Sequence, residues 1–401
     1  MLLPASRSRK RSLVTVLILM ATAFAGTALL APPAAATTFT ISGGHIPSQT
    51  WTSGNTYLVK GNVTVDAGVV LIVQPNVIVK ASNAVHLYIA GSLWANGTKA
   101  LPITFTNGTA ARPWAGIQFN ASSKGQVIWS SLSNATTALA SVQSAPLFAN
   151  DTVLRTYTAV YLDRSTAVLQ DMFVDTATVG VNMTASSPSI LRNTFNRTLA
   201  GIFAQTSGSP TVIGNSVQNG TGPIEVGMYF TDQGTLVVSR NRFSNLAGQD
   251  GPPAATVLSG GGAGTSPMGI FIVHAANATL TGNTINLLRG GRGGTGAAGG
   301  ALSGTAGGAG GSAQGIVVVN TPVVTIQGNV IGNLTGGRGG DGGTSTGADG
   351  GRGGEGGSAA AIQVLNTTGS ASWASNQVWH LTAGAGGFGG GTTLATRQDG
   401  A

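Results

Sequence analysis

Seven short segments of this chain superpose: Ala159-Val-Tyr-Leu-Asp, Gly180-Val-Asn-Met-Thr, Gly201-Ile-Phe-Ala-Gln, Gly227-Met-Tyr-Phe-Thr, Gly269-Ile-Phe-Ile-Val, Gly315-Ile-Val-Val-Val and Ala361-Ile-Gln-Val-Leu. Each is followed by a second short apolar segment. In six of them that segment ends on an asparagine: Asn193, Asn215, Asn241, Asn283, Asn329 and Asn376. Asp171 holds the matching place in the first repeat, 22 residues before Asn193, and Asn215 lies 22 further on. Later spacings are 26, 42, 46 and 47. Within the first segment, alternate positions such as Val160/Leu162, Ile202/Ala204 and Ile316/Val318 are apolar, which is the period of a strand with one buried face. A unit of this length fits three short strands and three turns, and it cannot bury its apolar face without a neighbour. The expected fold is all-β: a right-handed parallel β-helix with three short strands per coil. Coils stacked ~4.8 Å apart, roughly eleven of them, give a rod ~50 Å long.

The asparagine column has a physical reason. A side-chain amide carries two donors and an acceptor, so a stack of amides, one per coil, can satisfy itself inside the helix. The role expected for Asn193, Asn215, Asn241, Asn283, Asn329 and Asn376 is therefore structural.

Composition narrows the function classes. The 401 residues include 63 Gly and no Cys, and only 8% are charged, so disulfide scaffolds and thiolate metal sites are excluded. Arg7, Arg9, Lys10 and Arg11 precede an apolar run from Leu13 to Ala31 and then Pro32-Pro33-Ala34-Ala35-Ala36. That order predicts a signal peptide over 1–36, with an uncleaved anchor as the alternative. Without those four residues, 16 basic groups face 12 acidic ones, and no basic cluster remains to track nucleic acid. The expected location is extracellular or on the cell surface. Asn-x-Ser/Thr occurs at 12 of the 24 asparagines, which suggests glycosylation, although turns also favour Asn, Ser and Thr.

The Gly-Ile-x-Val and Gly-Asn-x-Ile-x-Asn pieces resemble those of the pectin-lyase-like parallel β-helix proteins, particularly their exported repeat-containing members. Gly61-Asn-Val-Thr-Val and the run to Lys80, then Gly91-Ser-Leu-Trp-Ala-Asn-Gly-Thr98, Pro102-Ile-Thr-Phe-Thr106 and Trp114-Ala-Gly-Ile-Gln-Phe119, resemble the opening coils of that group. The resemblance covers about 55–384. It implies the fold and leaves the function open, because lyases, hydrolases, adhesins and inert rods share it. The organisation expected is a leader at 1–36, an N-terminal cap and first coils at 37–110, β-helix repeats at 111–384, and the start of a Gly-rich insert at 385–401. A chain that stops inside an insert is expected to be truncated.

The long spacings come from Gly-rich inserts at about 248–267, 290–313 and 336–358, each placed just before the first strand of a coil. Gly290-Gly-Arg-Gly-Gly-Thr-Gly and Gly336-Gly-Arg-Gly-Gly-Asp-Gly-Gly typify them. They fit solvated loops. Their Gly-Gly-x triplets also fit a threefold extended helix whose glycine edges let neighbours pack in a polyglycine-II-like layer. In the same coils the outward positions turn apolar at Phe271/Val273 and Val317/Val319, a stripe the stacked inserts are expected to cover.

Chemistry has few candidates. Glycoside hydrolysis needs paired carboxylates, and the Gly-His-Gly and Arg-Ile-Lys motifs of pectin-hydrolase relatives are missing. The acidic residues are too scattered for a Ca²⁺ site. Asp151, Asp171 and Asp175 with Arg155 and Arg164 fall on adjacent coils. Asp232 and His274 occupy equivalent positions five residues after Gly227 and Gly269, where they could pair as acid and base. Tyr161, Phe203, Tyr229 and Phe271 form an outward aromatic column suited to sugar rings or to covered packing. A copper-maturation β-helix protein is another relative, but six Met and four dispersed His leave little to bind copper, so no metal or cofactor is expected. The reading is a non-catalytic exported surface β-helix for adhesion, envelope structure or glycan contact, with a surface glycan or envelope component as partner. Membrane association would come only through an uncleaved leader or a missing C-terminal anchor. The alternative is a polysaccharide lyase or glycoside hydrolase.

Overall fold

The computed structural model describes residues 36–108, 112–222, 226–256 and 258–392. The leader expected at 1–36 lies outside these residues except for Ala36. From Thr38 onward the chain winds as a right-handed parallel β-helix, and no described residue is helical. One coil shows the plan. Val226–Thr231 lies in stack I, Thr235–Ser239 in stack II and Arg242–Gly248 in stack III. Each pairs in parallel with its counterpart in the coils before and after. Stack II contains 12 strands, one per coil. Stacks I and III are joined because Thr152–Asp163 and Phe173–Thr184 run unbroken from one face to the next.

Alternation puts one set of side chains inside. Ile202/Ala204, Met228/Phe230, Ile270/Ile272 and Ile316/Val318 are fully buried and stack in register along the axis. Phe148, Phe195, Phe230 and Phe243 fill the bore between them. A continuous interior of this kind stabilises by ~1.5–3 kcal/mol for each large side chain removed from water, and no coil obtains it alone.

The corners are made by single residues in the left-handed region. After stack I these are Gln143, Arg164, Ala185, Thr206, Asp232, His274, Asn320 and Asn366, with φ between 48° and 59°. Asn and Asp tolerate this conformation better than other L-residues. Five sequon asparagines, Asn134, Asn150, Asn219, Asn333 and Asn366, have φ of 53–57°. Turn geometry therefore selects asparagine at those places.

At the corner between stacks II and III the amides form a column. Asn193 Nδ2 donates to Asn215 Oδ1 at 2.9 Å, and the pattern repeats from Asn215 to Asn241, Asn283, Asn329 and Asn376 at 3.0–3.1 Å. Each acceptor also takes a backbone N–H from the preceding coil, as Asn241 Oδ1 does from Asn215 at 2.9 Å. Each Nδ2 also reaches a carbonyl, as Asn241 does to Val212 at 3.0 Å. Asp171 is not in this column. The strand beginning at Phe173 pairs with the one beginning at Thr194, so Met172 holds the asparagine's place, and its N–H donates to Asn193 Oδ1 at 2.9 Å. Asp171 sits one residue earlier, at a left-handed corner facing outward. Asp151 is the column's member one coil before Met172. It is fully buried, accepts the Ser130 N–H on Oδ1 at 2.7 Å, and has no partner on Oδ2. Burial pushes its carboxyl well above the usual range, against the pull of that hydrogen bond.

The Gly-rich inserts fold as paired arms. Outgoing arms continue the line of stack III and bond in parallel to the next: Gly290 to Thr335 O at 2.8 Å, Gly293 to Arg338 O at 2.9 Å, Gly296 to Asp341 O at 2.8 Å. Return arms do the same, with Gly307 donating to Arg352 O at 2.9 Å and Gly310 to Glu355 O at 2.8 Å. The second glycine of each triplet bonds to an antiparallel arm: Gly308 to Gly294 O, Gly340 to Gly308 O and Gly354 to Gly340 O, all at 2.8 Å. The third residue turns outward, and its threefold period brings Arg338 against Asp341. This is a polyglycine-II lattice. A Cβ on Gly293, Gly294, Gly307 or Gly308 would meet a neighbouring carbonyl oxygen at 1.9–2.0 Å. These hydrogen bonds join the two arms of each insert and run from insert to insert. Of the apolar outward stripe, Val317 is buried, while Phe271, Val273 and Val319 are half-buried.

Candidate functional site

The outward side chains of stack I form the most distinctive surface. In register they run Tyr88, Gln118, Ala140, Tyr161, Asn182, Phe203, Tyr229, Phe271 and Val317. Phe203 and Tyr229 stack at 4.9 Å, and Tyr229 meets Phe271 edge-on at 5.4 Å. All three rings are half-exposed. Tyr161 does not touch this trio, because Asn182 stands between it and Phe203. Instead Tyr161 closes a groove of about 330 Å³ toward the N-terminal end, lined also by His86, Gln118, Thr137 and Ala140. His86 stacks on Tyr88 at 4.7 Å, and burial lowers its pKa, favouring a neutral imidazole. The small Ala140, set between Gln118 and Tyr161, makes the depression. His86, Tyr88 and Gln118 were missed by sequence reasoning because the early coils vary in length. The signal was there in the outward positions of His86–Ile89 and Gly116–Phe119.

Asp232 and His274 do come together. They are successive members of the corner after stack I, and Nδ1 of the imidazole lies 3.5 Å from a carboxylate oxygen. Asn320, the next member, is placed to donate to His274 Nε2 at 2.9 Å, an arrangement that assigns the ring proton to Nδ1, facing Asp232. Thr231 donates to the other oxygen of Asp232 at 2.9 Å. Both side chains are more than half exposed, and 3.5 Å is beyond a formed hydrogen bond. One carboxylate and one imidazole in open water lack the second carboxylate that glycoside cleavage uses.

The other acids are occupied or enclosed. Arg192 donates to both oxygens of Asp171 at 2.8 and 2.9 Å, and Arg197 and Asn196 hold Asp175. These arginine hydrogen bonds keep both carboxyls below the usual range. They are ionised structural pairs on two different corners. Arg164 pairs with its neighbour Asp163, and Arg155 donates to Asn134. Asp151 is inside the bore.

The coil geometry defines the class: a right-handed parallel β-helix protein. The family described as periplasmic copper-binding protein (NosD) matches residues 72–249. No curated protein sequence matches the chain. Among solved structures, a mutant of the periplasmic alginate epimerase AlgG is 11% identical, with 85% of each chain covered and a TM-score of 0.42. The catalytic unit of a GH87 α-1,3-glucanase from Streptomyces thermodiastaticus is 13% identical, covering 86% of this chain and 62% of that one, with a TM-score of 0.34. PfbA, a surface adhesin of Streptococcus pneumoniae, is 10% identical, covering 82% and 84%, with a TM-score of 0.27. No residue role is carried across from them.

Copper is the one metal these names bring up, and the donors present do not fit it. His45 pairs with Asp66, His86 stacks on Tyr88, His274 faces Asp232 and His380 faces Asn333, each on a different coil. Met172, Met183 and Met228 are buried in the hydrophobic bore. Among the described residues no three His, Cys, Asp or Glu side chains gather. A Cu(I) site wants several soft donors converging on one point.

Proposed function

We propose that the protein is an exported, non-catalytic surface β-helix that contacts an uncharged stretch of glycan along stack I. The observation that carries this reading is the half-exposed stack of Phe203, Tyr229 and Phe271, in line with the groove that Tyr161 closes. From the coil of His86 to that of Phe271 is seven register steps, about 34 Å along the axis. An extended oligosaccharide could lie on such a track, its ring faces on the aromatic side chains and its hydroxyls on Gln118, Thr137 and Asn182. The leader read in the sequence supports export.

The test is glycan-array binding of the secreted chain, followed by titration of any hit. Tyr229→Thr should weaken binding about tenfold or more while leaving the fold intact. Binding that ignores Tyr229 and Phe271 would remove stack I from the reading. The second reading, a polysaccharide lyase or hydrolase, is favoured only by the approach of His274 to Asp232. Chain cleavage of any polysaccharide that Asp232→Asn abolishes would establish it and overturn the first.

A further inference from the structure

We propose that two copies of this chain pair through the outer face of stack II, with their rods parallel and a twofold axis running along the rods between them. This face is separate from the aromatic track of stack I, and the pairing holds whether or not that track binds anything.

The first observation is the make-up of the face. The Gly-rich inserts leave the rod between stacks III and I, so none of them borders stack II. The corners that do border it are short. Three residues, 232–234, lead into Thr235–Ser239, and two, Arg240 and Asn241, lead out to Arg242–Gly248. The outward side chains fall into two central columns. One runs from Ile72 and Trp94 through Leu147, Val168, Thr211 and Val237 to Thr325. The other runs from Asn96 through Ile128, Leu191 and Ile213 to Gln327 in the same register. Neither column holds an Asp, Glu, Lys, Arg or His over that length. Ile72 and Trp94 are exposed. Such a surface suits a second sheet laid face to face on it. Ten strands from Ile72 to Thr325, each ~16 Å wide and ~4.8 Å from the next, present about 770 Å² on each copy. A stable pair uses ~800 Å² per partner, with charge kept out of the centre and polar groups at the rim.

The second observation is that the charges sit on the rims and complement one another. A twofold axis along the rods sets the rim before stack II in one copy against the rim after stack II in its partner, coil for coil. In the coil of Val168–Gln170 those corners are Arg164 and Asp171, and in the coil of Thr235–Ser239 they are Asp232 and Arg240. Each pair joins opposite signs, and symmetry makes each pair twice. Arg192 and His274 face the uncharged corners Ala185 and Gly282, and Lys124 faces Trp129, so no like charges meet. The second pair is the sharper. Arg240 is exposed and takes part in no ion pair among the described residues, and His274 stops 3.5 Å from Asp232. Five strand residues, roughly 16 Å, separate Asp232 from Arg240 within one chain, so only a partner brings them together.

Sedimentation velocity of the protein over a concentration series tests this, and a reversible monomer–dimer equilibrium is expected. Val237→Lys sets an unanswered ammonium at the centre of the face and should weaken the dimer about a hundredfold. Asp232→Arg and Arg240→Asp should each weaken it about tenfold, and the two together should restore it. Both substitutions copy residues that the same corners already hold at Arg164 and Asp171, and an unchanged far-ultraviolet circular dichroism spectrum checks that the rod persists. Tyr229→Thr, on stack I, should leave the dimer as tight as before. A monomer at every concentration, a dimer indifferent to Val237→Lys, or single charge reversals that the double variant fails to rescue would each overturn the proposal. A dimer lost in Tyr229→Thr would move the contact to stack I and overturn it too.

Discussion

Replacing Gly340 with alanine should destabilise the glycine lattice, and the sign of the effect distinguishes it from a loop. Gly340 lies outside the left-handed region, so its backbone accepts an L-residue. In a flexible loop the substitution would stabilise by about 0.4–1 kcal/mol by narrowing the unfolded ensemble, or do nothing. In the lattice, the new Cβ falls 2.0 Å from Gly294 O and 2.6 Å from its carbonyl carbon. Ordinary C···O contact needs about 3.3 Å, so the two outgoing arms must part by more than an ångström. The flanking bonds from Gly293 to Arg338 O at 2.9 Å and from Gly296 to Asp341 O at 2.8 Å would then exceed hydrogen-bond range. Two such bonds at about 1 kcal/mol each, less the chain-entropy gain, leave a net loss of roughly 1–2 kcal/mol. Thr295→Ala, at an outward third position of the neighbouring arm, is the control and should change stability by less than about 0.5 kcal/mol. Hydrogen exchange is the direct assay. The amides of Gly293, Gly308 and Gly354 should be protected in the parent and lose protection in Gly340→Ala. Exchange at unstructured rates in the parent, or a variant as stable as the parent, would refute the lattice.

Asn241→Ala should cost about 3 kcal/mol or more, read by chemical denaturation, because it strands the Asn215 N–H and Nδ2 and frees the Val212 carbonyl inside the rod. Asp151→Asn should raise stability at neutral pH. A carboxyl whose folded pKa is raised favours the native state least once pH exceeds its unfolded value, near 4, so the parent should weaken as pH climbs above that point and the variant should not. Asp171 has the opposite sign. Its folded pKa is depressed, so its contribution is present above about pH 4 and lost as pH falls through the folded value, and Asp171→Asn should flatten that acid limb in a pH-stability profile. Titration of the protein with Cu(I) should leave its thermal midpoint unshifted, since among the described residues no soft donors converge on one point.

The coil plan was legible because parallel stacking forces one sequence position per coil into the same environment. Ile202, Met228, Ile270 and Ile316 repeat that environment and therefore its chemistry. The asparagine column was legible for the same reason. Asp171 was misplaced because the early coils advance by 21 residues, as from Met172 to Asn193, whereas the next advances by 22. Counting back from Asn193 by the later period lands one residue short, and one residue is the difference between the bore and the solvent. The strand start at Phe173, matching Thr194, carried the correct register. The approach of His274 to Asp232 was legible as equivalent positions on successive coils. The groove beside Tyr161 was not, because it is defined by the small Ala140 between larger side chains on neighbouring coils, a matter of relief that no single repeat displays.

The glycine lattice uncouples reach from architecture. Its bonds involve only backbone, and its arms run out and back beside one another, so a triplet added to each arm of an insert repeats contacts already present. Each such step would extend the wing by about 9 Å while every strand of the rod stays where it is. The inserts at 290–312 and 336–358 are equally long, and the one at 249–267 is shorter, so the outline of the wing already steps down toward its first member. Gene-level slippage in a Gly-Gly-x tract would thus lengthen or trim a surface appendage in increments of one structural unit, with the third residue of each triplet free to take whatever side chain the surroundings favour.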